Sequence, residues 1–186
     1  MAEPTIIEAK FKEFEHKYLL TGSESVESIF EALRSVSGGM EKALEVTDTY
    51  FFEGVSPKYV YRHRRDREIQ QLTVKSLGKD ARERTEINLH FLNDENQFDA
   101  VERFMETLGD FRKLSIRKSI QVIDFPDCEC VYYEASNGTK TVRCFEFEAL
   151  GAENLNQALN IISRYESLAG FSPSSRCHQS LFELLS

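Results

Sequence analysis

Charged and large apolar side chains alternate along six segments of this chain, and that alternation constrains the fold more than any other feature. Glu13, Glu15 and Lys17 alternate with Phe14, His16 and Tyr18, Arg62 and Arg64 with Tyr61 and His63, and Thr73 and Lys75 with Leu72 and Val74. Arg84, Glu86 and Asn88 alternate with Ile87 and Leu89, Lys113, Ser115 and Arg117 with Leu114 and Ile116, and Glu146 and Glu148 with Phe145 and Phe147. Successive strand residues point to opposite faces, so each segment sets a charged row against an apolar one. Taken alone, any such strand turns its charges to water.

The helices alter that reading. Val26, Ile29, Phe30, Leu33 and Val36 recur at helical spacing between Ser23 and Val36, with Gly38 and Gly39 beyond. A second helix is expected from Asp94 to Leu108, with Phe98, Val101, Phe104, Met105 and Leu108 on one face and Gly109 as its stop. Leu155, Ala158, Leu159, Ile162, Tyr165 and Leu168 mark a third, and a short one closes the chain near Ser180 to Leu185. Strands are expected near Ile6–Leu20, Val46–Glu53, Tyr59–Arg67, Ile69–Leu77, Arg84–Phe91, Phe111–Phe125, Cys128–Ala135 and Thr141–Leu150, the last two joined by a hairpin at Asn137-Gly138. Many antiparallel strands with few helices favour a closed sheet, because closure removes exposed edges. The apolar helix faces need an apolar sheet face to cover, and on a small barrel that face is the outside. The expectation is an α+β chain, a closed eight-stranded antiparallel β-barrel flanked by helices, as one domain over residues 1–186.

The charged rows then point inward. Lys17, Arg62, Arg64, Lys75, Arg84, Lys113 and Arg117 would line the lumen among fewer acids, a channel that repels itself unless a polyanion or water fills it. Glu13 with Glu15, and Glu146 with Glu148, project pairwise to one side of a strand, a spacing suited to a hard cation bound through oxygen. Mg2+ or Mn2+ would link these acids to phosphate oxygens while the Arg and Lys side chains bind the remaining negative charge.

Composition removes other classes. A net charge of -8 leaves no basic outer surface for nonspecific nucleic-acid binding. Met1 to Lys10 has no apolar run of signal-peptide length and no stretch is long enough to span a bilayer, so a cytoplasmic protein without a membrane partner is expected. Cys128, Cys130, Cys144 and Cys177 lack zinc-knuckle spacing and are read as reduced thiols, the strand pair as small buried residues.

Glu13-Phe14-Glu15-His16-Lys17 resembles the ExExK signature of the CYTH superfamily, the triphosphate tunnel metalloenzymes. Thr47-Asp48-Thr49-Tyr50-Phe51, Arg62-x-Arg64, Leu72-Thr73-Val74-Lys75, Arg84-x-Glu86 and Phe145-Glu146-Phe147-Glu148 resemble further motifs of that family, in its order, from Glu13 to about Leu185. The resemblance implies a triphosphate tunnel, with metal on Glu13, Glu15, Glu86, Glu146 and Glu148 and a basic wall opposite. Asn88 stands where the family often has a second acid, Glu134 where an Asp is usual, and Leu181 where a Tyr is expected.

The leading expectation is therefore metal-dependent hydrolysis of a small-molecule triphosphate (inorganic tripolyphosphate, thiamine triphosphate or a nucleoside triphosphate). Glu13, Glu15, Lys75, Glu146 and Glu148 would be its catalytic groups. Lys75 or Lys113 would assist proton transfer if a neighbouring cation depressed its pKa. His16 and His63 fall on the outward parity and are read as packing or surface residues. Cyclisation of ATP to cyclic AMP, and capture of polyphosphate or nucleotide without turnover, are the alternatives. A homodimer is compatible with such a fold.

Overall fold

The computed structural model describes residues 11–22, 24–54, 57–77 and 83–186. Nine strands are present among them: β1 (Lys12–Leu19), β2 (Met40–Phe52), β3 (Tyr59–Arg65), β4 (Gln70–Ser76), β5 (Glu83–Phe91), β6 (Arg112–Asp124), β7 (Cys128–Ser136), β8 (Thr141–Ala149) and the short β9 (Arg176–Cys177). The helices are α1 (Val26–Arg34), α2 (Glu95–Leu108), α3 (Leu155–Leu168) and α4 (Leu181–Leu185). Ile6 to Lys10 of the first expected strand, and Ser23 at the expected start of the first helix, lie outside the described residues.

The sheet runs β5-β4-β3-β2-β6-β7-β8-β1-β9, and β1 also pairs with β5, so eight antiparallel strands close into a barrel. Closure is brief. β1 meets β5 at Lys12↔Thr85, Glu13↔Arg84 and Phe14↔Glu83, and along the same edge it then pairs with β9 at Lys17↔Cys177 and Tyr18↔Arg176. β2 begins at Met40 rather than Val46, because its first half pairs continuously with β6 despite its low apolar content.

Three apolar clusters place the layers. Outside β1, β7 and β8, the residues Phe14, Tyr18, Cys128, Cys130, Phe145 and Phe147 pack against Ile29, Phe30 and Leu33 of α1 and Ala158, Ile162 and Tyr165 of α3. Each such fully buried Phe contributes about 1.5–3 kcal/mol. Outside β2 and β4, Phe51 and Leu72 receive Val101 and Met105 of α2. Phe104 and Leu108, expected on that face, remain exposed because the contact runs along the 101/105 row and they sit on its flank. The third cluster lies inside the barrel: Val46, Tyr50, Phe52, Val60, Ile116, Tyr133 and Cys144 close around Leu181, Phe182 and Leu185 of α4.

Local chemistry sets the ends. Ser25, Asp94 and Asn154 cap α1, α2 and α3 through side-chain acceptors, and Ser180 with Glu183 forms a capping box on α4. At Gly39 a Cβ would lie 2.6 Å from Ile123 Cγ2, so only glycine lets β2 start against that core. The β7–β8 hairpin turns over Asn137–Lys140 with Gly138 at φ +91°, and Asn137 Nδ2 donates to Leu185 O at 2.6 Å, tying the turn to the end of α4. Among the described residues no helix is long and apolar enough to cross a membrane.

Candidate active site

The inward rows of the barrel surround a cavity of about 310 Å³. Glu13, Glu15 and Lys17 reach it from β1, Arg62 and Arg64 from β3, Lys75 from β4, Arg84 and Glu86 from β5, and Glu146 and Glu148 from β8. The Leu181 and Phe182 side chains close one end of it, while Lys42 and Ile69 line it from exposed positions and mark the side open to solvent.

Two expected residues are elsewhere. Lys113 is exposed, 2.9 Å from Glu106 and 3.3 Å from Glu102 of α2, and Arg117 also faces solvent. Ile116, Lys118, Ile120 and Val122 occupy the inward row of β6 instead. Over Lys113–Gln121 the outer row of β6 is polar and mostly exposed, and only Ile123 at its far end joins the apolar cluster under α1 and α3, so the apolar row of this stretch turns inward. Should the lumen bind a triphosphate, Lys118→Ala would weaken its hold on tripolyphosphate at least tenfold and Lys113→Ala would change it less than about twofold, read by calorimetry in the presence of Mg2+. Equal losses would mean that β6 presents its other row in solution.

The lumen is also balanced rather than basic. Lys75 Nζ lies 2.8 Å from Glu13 Oε1 and pairs with Glu86, and Arg84 Nη1 lies 2.7 Å from Glu15 Oε1. Lys17 Nζ lies 2.9 Å from Glu146 Oε1, which also accepts from Tyr133 Oη at 2.8 Å. Arg62 reaches Glu86 at 3.6 Å and donates to Thr73 at 3.2 Å. Asp48 is fully buried beneath them, 2.9 Å from Arg64 Nε and 2.6 Å from Lys118 Nζ. Asp48, Lys118 and Tyr133 were not singled out as site residues. Their sign in the sequence was parity with Val46 and Tyr50, with Ile116 and Ile120, and with Val131.

Titration follows from these contacts. Burial opposes charge on Asp48, yet Arg64, Lys118 and Arg62 hold its carboxyl well below the usual range. Burial likewise opposes the Lys75 ammonium, but Glu13 and Glu86 outweigh it and push its pKa up. Lys75 therefore stays protonated, and Lys113 is remote, so neither fits the expected proton-transfer role. Glu13 is pushed up to about 8 by burial and by Glu15 and Glu86, against the pull of Lys75. Glu148 is raised well above the carboxylate range by burial and by Glu13.

Among the described residues no three acid, histidine or cysteine side chains form a ready-made metal cage. Of the inner acids on β1, β5 and β8, Glu148 is the one that no described cation pairs with. Two hard carboxylates strained by mutual repulsion suit Mg2+ or Mn2+, since magnesium commonly takes one or two carboxylates and completes its shell with water and phosphate oxygens. The residues fit such an ion at Glu13 and Glu148. Glu15, Glu86 and Glu146 are engaged by Arg84, Lys75 and Lys17, and Glu13 also accepts from Lys75, a contact that an ion at Glu13 would have to replace.

The outward parity of both histidines holds. His16 Nδ1 lies 2.7 Å from Glu166, and His63 contacts Glu102 and stacks on Phe98. Glu134 is exposed on the outer face of β7, and Leu181 fills the closed end with an apolar side chain.

A closed antiparallel barrel with an enclosed, ion-paired lumen defines the class of fold. Solved structures share it. A Pyrococcus horikoshii OT3 protein aligns with TM-score 0.73 and 17% identity over 94% of this chain and 99% of that one. A candidate adenylate cyclase from Vibrio parahaemolyticus aligns with TM-score 0.68 and 14% identity over 92% and 96%. A candidate adenylyl cyclase from Hippeastrum, described as revealing a dominant triphosphatase activity, aligns with TM-score 0.55 and 15% identity over 91% and 93%. No protein-family model and no curated protein matches the chain.

Proposed function

We propose that the chain is a triphosphate tunnel enzyme that hydrolyses a terminal phosphoanhydride with the help of a divalent metal. The observation that carries this reading is the meeting, in one enclosed cavity, of six buried or half-buried cations with the acids Glu13 and Glu148, which repel each other and lack sufficient counter-charge. Anion capture alone would gain nothing from those acids. The Vibrio and Hippeastrum proteins add support from the chemistry ascribed to them on the same fold.

In this reading Glu13 and Glu148 hold Mg2+ or Mn2+, which supplies Lewis-acid polarisation of a phosphoryl oxygen. Arg62, Arg64, Lys75, Arg84, Lys17 and Lys118 fix the phosphate oxygens and offset charge on the phosphoryl group in transfer. Each already has a carboxylate partner, so substrate replaces an existing contact and the cations arrive preorganised. Phosphoryl transfer has a loose transition state, and positioning with charge stabilisation suffices without a protein nucleophile.

Phosphate release from tripolyphosphate, thiamine triphosphate and ATP with Mg2+ or Mn2+ tests the proposal; cyclic AMP and pyrophosphate from ATP would instead identify a cyclase, and tight binding without turnover a capture module. A pH effect accompanies it. Because the folded-state pKa of Glu13 is raised, the folded protein holds a proton that the unfolded chain releases above about 4.5, and stability from this group falls as pH rises toward 8. Without metal, Tm should decline between pH 6 and 8.5, and saturating Mg2+ should remove the decline. A flat metal-free profile would place the acids further apart than they stand here.

A further inference from the structure

The barrel wall is thin at its seam. Along one edge β1 pairs with β5 as far as Phe14 and with β9 from Lys17, so Glu15 and His16 have no strand partner on that edge among the described residues. A slit of about 10 Å³ lies there. Glu15, Lys17 and Arg84 line it and also line the main cavity, while His16, Cys177 and the exposed His178 line it from beyond the inner row. The slit thus crosses the wall between lumen and solvent.

It also holds a polar atom without a partner. The His16 side chain is 1% exposed, and its Nδ1 lies 2.7 Å from Glu166, which Tyr18 and Arg176 also engage. His16 Nε2 is buried and meets no donor or acceptor. Leaving such an atom unpaired costs about 1–3 kcal/mol, which a water molecule with access to it removes. A water needs roughly 10–15 Å³ of such space, so the slit admits water and is too small for a phosphate.

The inner mouth of the slit opens at the closed end of the lumen, since Lys17 Nζ lies 3.5 Å from Gln179 O, just ahead of α4. A triphosphate entering from the open side with its terminal phosphoryl leading would block the passage behind it, and Leu181 and Phe182 close the other end. In-line attack on that phosphoryl needs a water on the side away from the leaving group, which is the side toward α4. We propose that the seam is a water port: water held at His16 Nε2 passes Glu15 and Arg84 into the closed end of the lumen and replenishes the attacking molecule while substrate occupies the entrance. The use in hydrolysis rests on the triphosphatase reading, whereas the water site and the port do not.

A high-resolution crystal structure, free and with Mg2+ and a hydrolysis-resistant methylene analogue of tripolyphosphate, should show a water within about 3.2 Å of His16 Nε2 in both states. A dry slit in the free protein would overturn the port whatever the enzyme does. Cys177→Phe, with His178→Trp at the outer mouth as a second variant should the first fail to fold, should lower kcat for tripolyphosphate at least about fivefold while the analogue's affinity, by calorimetry, stays within about twofold. Turnover at the wild-type rate in a variant whose crystal structure shows the slit filled would remove the port from the reaction. If the wild-type protein hydrolyses no triphosphate, the triphosphatase reading falls, and the water at His16 alone decides the port.

Discussion

Glu148→Gln should lower metal-dependent phosphate release by at least about a hundredfold and, in the same protein, raise the Tm measured without metal by a few degrees. The two effects have one cause. Glu148 is half-buried, is opposed by Glu13, and forms an ion pair with no described cation, so its ionised form is held at a cost that glutamine avoids. In the proposed enzyme a bound metal would turn that cost into affinity, and removing a preorganised charged group from phosphoryl transfer would lose about two to three orders of magnitude. Calorimetric scans with EDTA, paired with turnover in Mg2+, give both readouts. A variant that loses activity but is also less stable without metal would show Glu148 to be a structural residue instead.

Asp48→Asn should be the most damaging single change in the lumen. Asp48 has no exposed surface and sits between Arg64 and Lys118, so the substitution leaves two interior cations facing one neutral amide. Removing one partner of a buried pair costs about 3–5 kcal/mol. In a domain of this size that corresponds to a Tm lower by roughly 10 °C or more. The sign with pH also follows. Since its carboxyl is depressed, Asp48 stabilises the wild-type fold above the ordinary aspartate range, and this contribution is lost as pH falls through the native value. The gap between variant and wild type should therefore narrow in acid. A variant within about 1 kcal/mol of wild type at pH 7 in urea titration would contradict the pairing.

How far the sequence revealed this arrangement depended on what covers each strand. On β1 and β8 the alternation was unambiguous, because Phe14, Tyr18, Phe145 and Phe147 had to meet α1 and α3, which left Glu13, Glu15, Lys17, Glu146 and Glu148 no direction but inward. On β3 and β4 the same logic placed Arg62, Arg64 and Lys75. β6 defeated it. Both of its rows carry basic residues, and the rule that charges turn inward fails where the outer row of Lys113–Gln121 is itself polar, so Lys113 and Arg117 were expected in the cavity that Lys118 enters. The closing helix was expected near Ser180 to Leu185 with Leu181 in place of a Tyr, but not its partners: α4 sits in the barrel end against the apolar inner rows of β2 and β6. The balance of charge was invisible too. Asp48 stood only as part of the Thr47–Phe51 motif with no role of its own, and the register with Arg64 and Ile116 sets it inside.

The matched ion pairs of the interior bear on how a ligand arrives. The lumen's carboxylates do not outnumber its cations, and Glu13 and Glu148 resist ionisation, so the excess negative charge behind the net -8 belongs to the outer surface. A free polyanion diffusing toward the mouth meets a like-signed field, and its approach quickens as added salt shortens that field's range. A ligand already partly neutralised by magnesium would meet less repulsion, so the proposed enzyme would favour the metal-bound species before any contact inside the barrel is made.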